Sequence, residues 1–178
     1  MYLTNQNPKS YLCVITYFLF MKHLDLSLNL KDYAVFLLEN HLDDLIEEGR
    51  KRAEEIRLPL LKFYSYYTEQ ELYEFNKKSY TYFLKNLADG KGLDEVKESI
   101  RLWKSNELPG IPKDQISVKD IALAYSIRKY ALLKLFPLYN QNVIIITALA
   151  LELEDFFLKV NELTLEAYIE FQRGKFLK

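Results

Sequence analysis

The sequence predicts an all-α fold, a bundle of six or seven helices that ends on a long C-terminal heptad helix. Three observations carry this expectation. From Leu30 onward apolar residues recur at three-to-four spacing, the period that collects one face of an α-helix. Helix starts are marked by a capping box at Thr68-Glu69-Gln70-Glu71 and a second cap at Ser117-Val118-Lys119-Asp120, where side-chain oxygens reach the free amides of a first turn. No alternating run with hairpin turn residues occurs. Val143 to Ile146 alone favours a strand, and it runs directly into the heptads.

The elements follow in order. In "LKDYAVFLLENHLDDLIEEGRKRAEEIRL", Tyr33, Phe36, Leu37, Leu42, Leu45 and Ile46 build one apolar face of a first helix. Glu47 and Glu48 precede Lys51 and Arg52 by four positions, a pairing suited to a solvated face. Pro59 lacks the helical donor, so the chain kinks or restarts near Leu58. The helix begun at Thr68 runs through Leu72, Phe75, Ser79, Phe83 and Leu87 and stops at Asp89-Gly90-Lys91-Gly92. A short helix carries Val96, Ile100 and Trp103 on one face. Pro109 and Pro112 then hold the residues before them extended, forming a stiff elbow ahead of Ser117. The helix beyond it carries Ile121, Ala124, Tyr125, Arg128, Leu132 and Leu135. In the last helix Ile146, Leu149, Leu153, Phe156, Val160, Leu163 and Ala167 alternate at three and four, an a/d seam of about three heptads. Two readings fit that seam: it caps its own bundle, or it meets a second copy in a two-fold dimer.

Composition sets the frame. With 178 residues, 49% of them hydrophobic, residues 29–178 make one domain with a real core. The 24 basic and 25 acidic residues give a net charge of −1, so no general attraction to nucleic acid is expected. A lone cysteine, Cys13, fits a reducing, cytoplasmic compartment. Residues 1–28 form a separate hydrophobic leader or peripheral helix. Its apolar core, Tyr11 to Met21, is about half of the ~20 residues a membrane-spanning helix needs, so no stable span is expected. A signal-peptide core, a helix packed on the domain, and a leader upstream of a start at Met21 all fit it.

The search for chemistry yields little. His23 and His41 are the only histidines, and no Cys or His pair has metal-ligand spacing. The Glu-x-x-His motif of carboxylate-bridged metal sites is missing, so no metal or other cofactor is expected. His41 with Asp44 reads as a surface pair. Cys13 has no placed partner, Gly-x-Ser-x-Gly does not occur, and no residue is assigned a catalytic role. Arg128-Lys129 on an apolar helix is the stronger feature. Either Arg128 snorkels to a carboxylate at the core edge, or it contacts a ligand in a pocket beside Trp103 and Tyr125.

The stretch "IRLWKSNELPGIPKDQISVKDIALAYSIRKYALLKLFPLYN" resembles the N-terminal sensor region of certain bacterial histidine kinases, which is itself similar to the RsbR-type non-haem globin domain of stress-signalling proteins. Trp103 with Leu108-Pro109, Asp120-Ile121, Arg128-Lys129 with Ala131-Leu132-Leu133, and Pro137 with Tyr139 carry the likeness, which extends over Leu30 to Phe171. It implies a globin-like fold, a homodimer, and a last helix that leads into a downstream signalling module or kinase partner. It implies no catalytic residue. A haem globin needs a proximal histidine on a late helix, and none follows His41. The expected function is therefore a non-catalytic sensor of bacterial signal transduction, with Ile146, Leu149, Leu153, Phe156, Val160 and Leu163 at the dimer interface. The alternative is a small helical enzyme or ligand-binding protein whose pocket near Trp103, Tyr125 and Arg128 takes a small apolar ligand.

Overall fold

Side chains that reach first-turn amides set most helix starts. In the computed structural model, which describes residues 29–105, 115 and 117–176, the chain forms α1 (Leu30–Asn40), α2 (Leu42–Glu55), a 3-10 helix (Pro59–Tyr64), α3 (Glu69–Ala88), α4 (Gly92–Ser105), α5 (Val118–Tyr139) and α6 (Val143–Phe176). No strand occurs among the described residues. Both caps read from the sequence form. Glu71 N–H donates to Thr68 Oγ1 at 3.2 Å while Thr68 N–H donates back to Glu71 Oε2 at 2.8 Å. Ser117 and Asp120 repeat that reciprocity at 3.2 and 2.9 Å. A third box, Asn29 with Asp32, opens α1. The leader (residues 1–28) and the Pro109–Pro112 elbow lie outside the described residues.

One expectation needs correction: the first helical segment is two helices. His41, at φ −138° and ψ 27°, breaks it, and its amide donates to Leu37 O at 2.9 Å. The helix resumes with Asp43 and Asp44 in its first turn, where carboxylates favour the positive end of the helix dipole. His41 Nδ1 meets Asp44 Oδ2 at 2.8 Å at this joint. The salt pairing also differs in detail. Lys51 does reach Glu47, at 3.7 Å, but Arg52 turns to Glu55 and lies over the Tyr130 ring. Further along, α2 ends before Pro59 and the chain restarts as the 3-10 helix, as the missing proline donor requires. Gly90, at φ 73°, closes α3 in the left-handed region that glycine enters without steric cost.

Packing then assembles the bundle. α1 lies on α3, α2 on α5, and α6 runs against α1, α4 and α5. α2 and α3 approach closely at Gly49, where an added Cβ would stand 2.2 Å from the Tyr80 hydroxyl. The core gathers Tyr33, Leu37, Leu45, Phe83, Leu84, Val96 and Leu132 with Leu153 and Val160 of α6. Tyr33 is fully buried, and its hydroxyl donates to Leu132 O at 2.6 Å, which satisfies the one polar atom it carries inward. A smaller cluster of Ala53, Leu58, Leu60 and Ile127 sits under the 3-10 helix. The result is an all-α bundle ending on a 34-residue helix, an arrangement consistent with the globin-like class. No helix among the described residues is long and apolar enough to cross a membrane.

Candidate functional site

The heptad seam of α6 faces inward. Leu149, Leu153 and Val160 are 2%, 0% and 0% exposed, and Ile146, Phe156 and Leu163 pack against the same core. In this conformation the expected dimer-interface positions already bear on the chain's own helices. The opposite side of α6 carries a second apolar row at strict seven-residue spacing: Ile144, Leu151, Leu158 and Leu165, each between 43% and 59% exposed.

The three residues singled out as a pocket, Trp103, Tyr125 and Arg128, line one cavity of about 250 Å³. Their positions follow from helical spacing. Glu95, Ser99 and Trp103 stand four apart on α4, and Ala124, Tyr125 and Arg128 share a face of α5. Thr164 and Ala167 of α6 complete the wall, with Leu60 of the 3-10 helix and Ser79 of α3. Aliphatic surface comes from Leu60, Ile100, Ile121, Ala124 and Ala167. The linker that joins α4 to α5, both cavity walls, carries the proline elbow and lies mostly outside the described residues.

The polar groups of this cavity are poorly matched. Glu95 is 8% exposed; its Oε1 accepts from Ser99 Oγ at 3.3 Å, and its Oε2 has no partner among the described residues. Trp103 is 5% exposed, and its indole N–H has none either. The Trp103 ring is held in place by Tyr168, stacked at 6.4 Å, and Phe171, edge-on at 5.0 Å. Buried polar atoms without partners cost about 1–3 kcal/mol each, and both of these belong to residues that line the cavity.

The sequence position of Arg128 left two readings open, a carboxylate partner at the core edge or a ligand contact in a pocket. Arg128 does not pair with a carboxylate within the described residues. Instead its Nη2 donates to Ser79 Oγ at 3.1 Å, and its guanidinium lies 4.5 Å from the Phe83 ring centre and 5.5 Å from that of Tyr80. Aromatic faces stabilise the cation without consuming its N–H donors. Lys129 points elsewhere and pairs with Glu154 of α6 at 2.6 Å. The Tyr125 phenol is raised above its ordinary pKa by burial; Arg128 lowers it, Glu95 raises it, and a hydrogen bond with Thr164 lowers it. Tyr125 thus lines the cavity together with Arg128 and Glu95.

Chemically the arrangement sets a guanidinium, a carboxylate and an indole N–H around a partly apolar volume. The nearest approach to a nucleophile with a base is Ser99 on Glu95, and 3.3 Å is long for a hydroxyl donating to a carboxylate. It is an i,i+4 contact on one helix. Among the described residues no group of three or more His, Cys, Asp or Glu gathers as a metal site. Sequence reading found Trp103, Tyr125 and Arg128 but missed Glu95, Ser79 and Thr164. The signal for Glu95 was present: a carboxylate eight residues before Trp103, on the inward edge of a helix. No protein-family model matches this chain, and neither the curated proteins nor the solved structures offer a significant match to it.

Proposed function

We propose that this chain is a non-catalytic sensor domain of bacterial signal transduction, acting in the cytoplasm. On this reading the cavity is its input, and α6 carries the change to a second copy and to a histidine kinase or stress-signalling partner. The observation that supports it most is a cavity with unpartnered polar groups that is walled on one side by α6 itself. Filling that cavity places a ligand against Thr164 and Ala167, and it shifts the Trp103 ring on which Tyr168 and Phe171 rest. The last turns of α6 are further tied to α4 by the Lys104–Glu170 ion pair. Packed helices move as discrete shifts, so a small change at the cavity is carried along the helix. The outward row of Ile144, Leu151, Leu158 and Leu165 supplies the contact face, since it repeats at the spacing of two-stranded coiled coils and the core does not use it. Native mass spectrometry of the full chain at high micromolar concentration tests this. A dimer that Leu158→Glu dissociates supports the proposal; a monomer on which Leu158→Glu has no effect overturns it.

A further inference from the structure

We infer that the cavity takes an aliphatic α-amino acid of about leucine's size, held as a zwitterion with its carboxylate on Arg128 and Trp103 and its ammonium on Glu95. This rests on the reading of the cavity as the domain's input.

Each part of the ligand answers a specific vacancy in the hydrogen bonding. Arg128 offers five N–H donors in a planar fork that matches a carboxylate, and among the described residues they make one hydrogen bond, to Ser79. The Trp103 indole N–H donates and cannot accept, so it too calls for an acceptor. Glu95 Oε2 has the opposite need, a donor, and a charged donor gives the stronger bond. The cavity therefore brings one cation and one anion into a low-dielectric space with neither matched to the other. A ligand bearing both charges leaves none unopposed. A simple carboxylate would leave Glu95 unmatched, and a simple amine would leave Arg128 so. Beyond the charged groups Leu60, Ile100, Ile121, Ala124 and Ala167 give an aliphatic wall, and the Ser79, Ser99 and Thr164 hydroxyls beside it are already engaged by Arg128, Glu95 and Val160 O. The volume of about 250 Å³ falls just under the range of typical small-molecule sites and suits a ligand of few atoms.

The sequence holds a single tryptophan, and it lines the site, so its emission reports on the cavity alone. Leucine, isocaproate and isoamylamine, which share the isobutyl side chain and differ in the charged groups they carry, are titrated against the unmodified full chain. Leucine is expected to change Trp103 emission saturably and to raise Tm, and each analogue to bind about tenfold or more weakly, the effect of losing one charged hydrogen bond. Glu95→Gln is expected to bring leucine down to the affinity of isocaproate, and Arg128→Gln to bring it down to that of isoamylamine. Equal affinity of the wild type for leucine and either analogue overturns the assignment, as does an emission spectrum unmoved by millimolar leucine. The analogue series needs no variant to fold. The dimer experiment needs no ligand, so failure here and failure of the sensor reading are separately visible.

Discussion

Replacing Val160 by glutamate separates the inner from the outer face of α6. Val160 has 0% exposure and packs in the main core. The substitution removes roughly 1.5 kcal/mol of apolar burial and puts a carboxylate where the surroundings are hydrocarbon. The penalty for an unpaired buried charge is several kcal/mol even after relaxation. Together these reach about 5 kcal/mol or more, comparable to the whole stability of an ordinary domain at ~5–15 kcal/mol. Leu158 lies two residues earlier, about 160° around the helix, and is 59% exposed. Leu158→Glu is expected to change the stability of the folded monomer by no more than about 0.5 kcal/mol. Urea unfolding followed by circular dichroism measures both. Val160→Glu should leave the chain largely unfolded without denaturant, whereas Leu158→Glu should unfold at a midpoint close to the wild type. A Val160→Glu chain that unfolds at the wild-type midpoint would refute the placement of the seam in the core.

Further outcomes follow from local geometry. Gly49→Ala should destabilise by about 1–3 kcal/mol despite alanine's better helix propensity, because its Cβ meets the Tyr80 hydroxyl. Tyr80→Phe in the same chain should recover much of that loss, and a double-mutant cycle on melting curves reads the coupling. Arg57 holds φ 51° after α2, so Arg57→Gly should raise stability by roughly 0.5–1 kcal/mol in thermal melts. Burial raises the phenols of Tyr33, Tyr80 and Tyr125 above the ordinary value of 10.0. The unfolded chain then releases their protons first, so their contribution is whole below pH 10 and declines as pH rises past it. Tyrosinate absorbance should therefore show these three resisting ionisation until the chain unfolds in alkali.

Helix starts were legible because capping is local: Thr68 with Glu71 and Ser117 with Asp120 carry their partners three residues away. The break at His41 was not, because apolar spacing continues across it and only tertiary packing selects two helices. For α6, the three-four periodicity identified which residues form a seam, yet it could not say whose surface meets them. Ile144 and Leu158 are as apolar as Ile146 and Leu153, and the choice of inner face depends on where α1, α4 and α5 lie. The cavity was half legible. Arg128 and Trp103 stand out as a cation and a lone indole among apolar neighbours, whereas Ser99 and Thr164 look like ordinary helix residues until α4, α5 and α6 bring them together.

The central claim is that filling the cavity changes the seating of α6. Amide hydrogen exchange along that helix, with and without leucine at a concentration that saturates the Trp103 emission change, tests it directly. Slower exchange from Val160 to Phe171, where the helix borders the cavity and the Trp103 ring, is the predicted result. Unchanged exchange there with the cavity saturated would contradict it.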